Sequence, residues 1–228
     1  MTKVPNHIWI IMDWNRRWAK QKLLPSIIWH KTWANNVKKI TEYAVKLWID
    51  YMTLWALSTD NLKKRNKDEV DWIIKIIDNI ESFLDEMIQN WLKFETIWDL
   101  SKLPEKSQEI LNRVKEKTKN NTWVTLVIAL IYWWQDEIIR WIKKFVSEWW
   151  DINTLDKNNF TDYLDTWKYP NPELIIRTGW DIRHSWFLLY NSEYSEYYFT
   201  QKKWPEFDER ELDKAVEFYN SSKRNFGK

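Results

Sequence analysis

The stretch Val124-Thr125-Leu126-Val127-Ile128-Ala129-Leu130-Ile131-Tyr132 is the longest apolar run in the chain. It is rich in β-branched residues and far shorter than the roughly 20 apolar residues that cross a bilayer. Such a run reads as a strand buried on both faces, the kind found inside a parallel sheet. A helix pattern over 136–147 follows it. The same alternation repeats outward. Residues 8–12, 51–57 and a weaker, alternating 92–97 read as strands before it, and 174–176 and 187–190 as strands after it. Val70, Ile73, Ile74, Ile77, Ile80, Leu84, Met87 and Ile88 recur at the spacing of one buried helix face. Pro104 opens a helix that runs to about Thr118, proline being natural in a first turn. Further helices are expected over 35–47 and 209–219. Strands alternating with helices predict an α/β fold: one domain over 1–228, with a mainly parallel sheet of about six strands covered by helices on both faces.

Composition narrows the function classes. With 35 basic and 33 acidic residues the formal charge is only +2, so no global field points to nucleic acid. Cysteine is absent, which excludes a disulfide scaffold and thiolate metal sites and fits a reducing cytoplasm. No signal-peptide pattern or membrane span is present, and a soluble cytoplasmic protein is expected.

Twenty tryptophans and two glycines in 228 residues invert the ordinary balance, since glycine averages about 7%. Many tryptophans also stand in turn contexts. Trp14 lies in Asp-Trp-Asn-Arg-Arg, Trp133-Trp134 follow the long apolar run, Trp149-Trp150 precede Asp151-Ile152-Asn153, and Trp180 sits between Gly179 and Asp181. There positive φ or a close backbone approach makes glycine the default. Some bacterial lineages read the codon UGA as glycine, and a translation reading it as tryptophan would print this sequence. Trp18, Trp55 and Trp204 occupy contexts natural to tryptophan. Reading the other 17 as glycine brings the total to 19. The alternative, a truly tryptophan-rich protein, requires UGG codons at Trp14, Trp29 and Trp133.

In open α/β sheets ligands bind beyond the carboxyl ends of the strands, and there the polar residues gather. The first strand ends in Asp13-Trp14-Asn15-Arg16-Arg17-Trp18, the second in Ser58-Thr59-Asp60-Asn61, and the fifth in Arg177-Thr178-Gly179-Trp180-Asp181-Ile182-Arg183-His184-Ser185. Arginine forks, backbone N–H groups and a carboxylate able to hold magnesium are what a diphosphate site requires. Each piece alone is ordinary: an Arg-Arg pair is usually solvated, an aspartate after a strand is usually a cap, and His30 is a surface or packing residue. Three strand ends together point to the site.

These loops resemble the cis-prenyltransferases, the undecaprenyl diphosphate synthase family. The resemblance runs nearly end to end. It rests on residues 7–20, Trp29-His30-Lys31, Ser58-Thr59-Asp60-Asn61, Asn120-Asn121-Thr122, Tyr132-Trp133-Trp134, residues 176–185, Ser195-Glu196-Tyr197-Tyr198-Phe199 and Trp204-Pro205-Glu206-Phe207. Where the family has glycine, this chain prints Trp14, Trp29, Trp123, Trp133 and Trp134; where the family itself uses tryptophan, Trp18 and Trp204 agree. The resemblance implies a magnesium-dependent enzyme that joins isopentenyl diphosphate to an allylic diphosphate, usually farnesyl diphosphate, and forms a long-chain Z-polyprenyl diphosphate of the undecaprenyl type used as a cell-wall lipid carrier. It implies Asp13 as catalytic residue and magnesium ligand, Glu196 as second carboxylate near the metal, and Asn61 in proton removal, an orienting role suiting its neutral amide better. Trp14, Asn15, Arg16, Arg17 and Trp18 would meet the allylic diphosphate, with His30 near it. Ser58, Thr59 and Asp60 would line the site, and Arg177, Arg183 and Ser185 would clamp isopentenyl diphosphate. A homodimer, with residues 194–199 at its interface, and peripheral membrane contact for product release are implied as well.

Four positions depart from the family. Ser26 replaces an arginine, Leu62 an aromatic, Lys64 an arginine and Ile131 an asparagine. The helical pattern over 69–89 is expected to wall an apolar tunnel or to be ordinary core. An all-helical trans-prenyltransferase is disfavoured by the absence of paired Asp-Asp-x-x-Asp motifs, and a non-catalytic partner subunit by the presence of Asp13 and the Arg-x-Ser clamp.

Overall fold

The computed structural model describes residues 3–13, 18, 22–23, 26–56, 58, 67–97, 100–148, 151–156, 159–185 and 189–223. Its strands are β1 (His7–Ile11), β2 (Tyr51–Trp55), β3 (Leu92–Ile97), β4 (Val124–Ala129), β5 (Leu174–Arg177) and β6 (Glu196–Phe199). The helices are α1 (Ser26–Lys46), α2 (Lys67–Asp78), α3 (Leu84–Gln89), α4 (Glu105–Thr118), α5 (Trp134–Ser147) and α6 (Glu209–Ser221). One sheet runs in the order β3-β4-β2-β1-β5-β6, and every neighbouring pair is parallel. Helical crossovers make this possible, and they cover the sheet as the apolar character of its inner strands requires. All five residues of β1 are buried, and Ile8, Ile10, Met52, Leu54, Phe94, Leu126, Leu174 and Ile176 form one core with residues from α1, α4 and α6. The chain leaves β1 toward β2 on one side, while β5 pairs with β1 on the other. The carboxyl ends of β1 and β5 therefore flank a topological switch point, where such sheets open a crevice.

The structure corrects the expected elements in three places. The last strand is Glu196–Phe199, not 187–190; Leu189–Ser192 is a 3-10 turn, and 187–188 lie outside the described residues. Register explains the shift. Ser195 Oγ donates to the Pro172 carbonyl at 2.7 Å and the Glu196 N–H to the Glu173 carbonyl at 3.0 Å, which aligns Glu196 with Leu174. The helix expected over 70–88 is α2, a 3-10 segment Asn79–Phe83 and α3, so one apolar stripe is shared by three pieces. Finally, α1 begins at Ser26 rather than at 35. In α2 and α3 the buried residues Ile73, Ile77, Leu84 and Met87 belong to the main core, which is the ordinary-core reading of that face.

Two helix ends show what the local backbone wants. After α1, the Trp48 N–H bonds to the Val45 carbonyl and the Ile49 N–H to the Ala44 carbonyl, both at 3.1 Å. This is the paired bonding of a Schellman motif, whose C′ residue is left-handed and usually glycine. That residue is Trp48, at φ 61° and 83% exposed. Trp91 after α3 is left-handed too, at φ 50°, with its N–H on the Ile88 carbonyl. A side chain in this region costs about 1–2 kcal/mol, and neither indole is buried to offset it. Trp48→Gly and Trp91→Gly should each stabilise the printed chain by about 1 kcal/mol. Urea unfolding should show a raised midpoint with unchanged slope; a lowered midpoint in both would contradict the cap geometry.

His7 opens β1 at the end of the sheet away from the switch point. Its Nδ1 lies 2.6 Å from the Pro170 carbonyl, which can only accept, so Nδ1 carries the proton. Nε2 is left to accept from the Trp9 indole N–H and the Thr53 hydroxyl, both at 2.8 Å. Burial pushes the pKa of His7 down to about 4 from 6.5. A depressed pKa gives stability that is full above pH 6.5 and lost as pH falls through about 4. Between those values wild-type stability should fall relative to His7→Gln by on the order of 3 kcal/mol, measured by urea unfolding across pH. Parallel pH curves for the two proteins would refute the neutral, buried imidazole.

Candidate active site

At the carboxyl edge Ile11 of β1 stands level with Arg177 of β5. The next residues are Met12 and Asp13 on one strand and Thr178 on the other. Thr178 is fully buried and knits the two ends together: its N–H bonds to the Ile11 carbonyl at 3.1 Å, and its hydroxyl oxygen accepts the Asp13 N–H at 2.9 Å. Arg177, its side chain 4% exposed, hydrogen-bonds to three partners, and its Nη2 also lies 3.8 Å from Asp181 Oδ2. Nε and Nη2 both donate to Asp13 Oδ2, at 2.8 and 2.5 Å, so Oδ1 stands outside the pair. Nη1 donates to Ser185 Oγ at 2.7 Å and to the Arg183 carbonyl. Burial raises the pKa of Asp13 above the usual carboxylate value, and the Arg177 charge and hydrogen bonds pull it back. Asp181 takes the half-exposed Arg183 fork through both oxygens, at 2.9 and 2.8 Å.

The backbone around this edge is held in unusual conformations. Ser185 has φ 48° and Ile131 φ 54°. Left-handed backbone is rare for a hydroxyl residue and a true outlier for a β-branched one, whereas asparagine tolerates it. That gives a physical reason for the asparagine that the cis-prenyltransferases carry at Ile131. Beyond β6 the turn Trp204–Glu206 packs on the Asp13 segment. The Trp204 N–H bonds to the Asp13 carbonyl at 3.3 Å, and Asn36 of α1 fastens the turn through the Trp204 and Phe207 carbonyls. Trp18 donates its indole N–H to Glu206 at 3.0 Å. Ser58, beyond β2, is buried and pairs as an isolated bridge with Tyr132, beyond β4.

Of the residues expected at the site, Asp13, Arg177, Arg183 and Ser185 share one hydrogen-bonded cluster. Trp18 borders it through the Trp204–Glu206 turn. Ser58 lies on the same edge of the sheet. His30 is on α1, its side chain outside the described ones. Trp14, Asn15, Arg16, Arg17, Thr59, Asp60 and Asn61 lie outside the described residues. Glu196 is not brought in. The register sets it beside Leu174, itself beside Ile8, about 10 Å down the strands from the level of Arg177. Within one chain it cannot share a metal with Asp13. Among the described residues no group of three or more His, Cys, Asp or Glu is placed to hold an ion. Sequence reading missed Thr178, Asp181 and Asn36. The first two stood inside the quoted motif; Asn36 had no signal, since its role depends on α1 reaching the Trp204 turn.

A family model for undecaprenyl diphosphate synthase matches residues 11–227. The chain belongs to the cis-prenyltransferase family. It is similar to the ditrans,polycis-undecaprenyl-diphosphate synthase ((2E,6E)-farnesyl-diphosphate specific) of Micrococcus luteus, with 41% identity over 99% of this chain and 92% of the relative. The isoprenyl transferase of Clostridium perfringens is 40% identical over 99% and 90%. Among solved structures, lavandulyl diphosphate synthase from Lavandula x intermedia in complex with dimethylallyl diphosphate superimposes with TM-score 0.92 and 32% identity over 99% of both chains. A "probable undecaprenyl diphosphate synthase" from Campylobacter jejuni gives TM-score 0.82 and 30% identity over 100% of both.

In this prenyltransferase the Arg177 fork is geometrically specific. Lysine would keep the charge but could not reach Asp13, Ser185 and the Arg183 carbonyl together. Arg177→Lys should cut prenyl transfer at least about 100-fold while a two-state unfolding transition persists. Near-wild-type turnover in Arg177→Lys would show that charge alone suffices.

Proposed function

We propose that this prenyltransferase condenses isopentenyl diphosphate with an allylic diphosphate, farnesyl diphosphate first, and repeats the step to a long-chain Z-polyprenyl diphosphate of the undecaprenyl type. The observation that carries the reading is the buried Arg177 fork that gathers Asp13, Ser185 and the Arg183 backbone at the switch point. Two similar proteins support the substrate class: the Micrococcus luteus relative is named for farnesyl diphosphate, and the lavandulyl diphosphate synthase structure holds dimethylallyl diphosphate.

In the condensation the allylic carbon–oxygen bond breaks and diphosphate leaves with the electron pair. The terminal alkene carbon (C4) of isopentenyl diphosphate bonds to the allylic carbon, which leaves the positive charge on C3, and C2 then loses a proton to a diphosphate oxygen or water while the C–H electrons form the new C2=C3 double bond. Arg16 and Arg17, with the backbone of 14–17, bind the allylic diphosphate, with Trp18 packing beside them and His30 nearby. Arg177, Arg183 and Ser185 hold isopentenyl diphosphate. Ser58, Thr59 and Asp60 line the wall, and Asn61 orients the group that takes the proton. Magnesium fits Asp13: the ion is commonly held by one or two carboxylates plus substrate phosphates, and Oδ1 lies outside the Arg177 pair. Bound there, it would neutralise the charge developing on the leaving diphosphate. The protein acts in the cytoplasm as one domain over 1–228, as a homodimer that meets the membrane only to release product. Among the described residues no helix is long and apolar enough to cross one. The presence of Asp13 and of the clamp argues against a non-catalytic partner subunit.

The reading extends to the tryptophans, most of which we take to stand for glycine. Trp48 and Trp91 in left-handed backbone support it, as does Trp141, whose indole N–H is buried without an acceptor. Trp123, Trp167 and Trp180 leave more than half their surface in solvent. Intact mass of the protein purified from its own host decides between the residues at once.

The activity test is incorporation of radiolabelled isopentenyl diphosphate with magnesium, on the printed and the glycine-restored chains. The restored chain should elongate farnesyl diphosphate, and Asp13→Ala should lower its turnover at least about 100-fold. No incorporation with any allylic primer would defeat the reading; full activity in Asp13→Ala would defeat the metal assignment.

A further inference from the structure

Glu137 has a role that the reaction scheme above does not use. It lies in the first turn of α5, where a glutamate ordinarily faces solvent and complements the helix dipole, yet it is 3% exposed. Both carboxylate oxygens are engaged. Oε2 accepts the Tyr132 hydroxyl at 2.5 Å, and Oε1 accepts the Asp165 backbone N–H at 2.7 Å. Tyr132 is itself fully buried, and its backbone forms the parallel bridge with Ser58. Arg140, one turn along α5, binds Asp165 at 2.5 Å and closes the ring from outside. A buried carboxylate is costly unless its hydrogen bonds are met, so three segments converge on it, the end of β4, the start of α5 and the turn carrying Asp165, and the end of β2 joins them through the Tyr132 backbone.

We propose that Glu137 is a positioning residue for prenyl transfer, acting through Tyr132 to fix Ser58 and hence the β2 wall of the site. The carboxylate touches no substrate. It sets where the edge of β2 stops relative to Asp13, beyond the neighbouring β1, and Arg177, on β5 one strand further. The proposal rests on the assignment of Ser58 to the substrate wall. Titration offers an independent mark. Burial pushes the pKa of Glu137 up to about 7 from 4.5; the groups that face it are the Tyr132 hydroxyl, Asp165 and Arg140. A raised acid pKa favours the protonated fold, so this contribution to stability is full below pH 4.5 and is lost as pH rises through about 7.

The test uses Tyr132→Phe, Glu137→Ala and Glu137→Gln in the full chain. Tyr132→Phe removes one hydroxyl and keeps the volume. It should raise KM for the diphosphate substrates about fivefold, the worth of one net hydrogen bond, with kcat changed less. Glu137→Ala should do at least as much, and the double variant no more than Glu137→Ala, because both cut one link. Glu137→Gln can still meet Tyr132 and the Asp165 N–H, so it should restore KM while abolishing the stability loss between pH 4.5 and 7. Amide exchange separates this proposal from the function itself. In Tyr132→Phe the peptide ending at Ser58 should lose protection whether or not the protein turns over. Unchanged KM and unchanged exchange at Ser58 in Tyr132→Phe would overturn the proposal, as would additive effects in the double variant. Inactive wild-type protein with lost protection at Ser58 would leave the link standing and refute the substrate reading instead.

Discussion

A guanidinium cannot shed its proton inside a protein, so a nearly buried one must be neutralised by whatever surrounds it. Arg177 meets that demand with Asp13 across the β1–β5 seam and with Ser185 and the Arg183 carbonyl from its own loop. The demand reaches into the sheet. Arg177 can meet Asp13 only while Ile11 and Arg177 stand level, and a one-residue slip of β5 would turn its side chain to the opposite face. A buried ion pair of this kind contributes little net stability, because desolvation offsets most of the attraction. The apolar strands must therefore hold the register for the pair. Thr178 reinforces that register at the last rung by bonding to Ile11 and Asp13 at once.

What could be read from the letters follows from burial. β1, β2, β4 and β5 were legible because both faces of each meet core, so they read as short, mostly apolar runs; β3, an edge strand, was legible by the alternation of Leu92, Phe94 and Thr96 inward with Lys93 and Glu95 outward. β6 is an edge strand whose four residues are half-buried; its composition resembles a loop, and the more apolar 187–190 drew the assignment away. Residue types at the site were legible for the same reason that motifs are: Asp, Arg and Ser at strand ends suit diphosphate chemistry. Register was not. Glu196 reads as a site carboxylate by its motif, yet the ladder sets it at the amino end of the sheet. Glu137 shows the reverse failure. Nothing in its neighbours along the chain marks it, since the amide it accepts lies 28 residues on, and only the folded turn supplies it.

The tryptophans divide along a physical line that composition alone could not draw. A satisfied indole does not separate them. Trp204 donates to the Trp33 carbonyl and Trp18 to Glu206, but Trp9 and Trp133, both suspected glycines, donate to His7 and Gln135. Backbone conformation marks two of the suspected positions. A large side chain in left-handed backbone costs free energy in every context, and Trp48 and Trp91 occupy it with their indoles largely in solvent. Trp204 is the opposite case: fully buried, stacked on Phe207 and fastened by Asn36. Deleting its side chain would open the wall behind Asp13.

Charge balance at the switch point completes the picture. Among the described residues of the cluster, two arginines face two aspartates: Arg177 with Asp13, and Asp181 with Arg183 and, at 3.8 Å, with Arg177 as well. The pairs are close to neutral before any ligand arrives. A diphosphate therefore finds no stored excess of positive charge in them, and binding it requires either that the arginines trade partners or that more cations join. Under the proposed chemistry both occur. A divalent ion held by Asp13 would neutralise the carboxylate that Arg177 now serves, and the fork could then turn to a phosphate without leaving a buried carboxylate uncompensated. Arg16 and Arg17, three and four residues after Asp13 in sequence, are the cations proposed to join. Metal and substrate binding at this seam are then coupled through Arg177, because each removes the electrostatic reason for the other's competitor to stay.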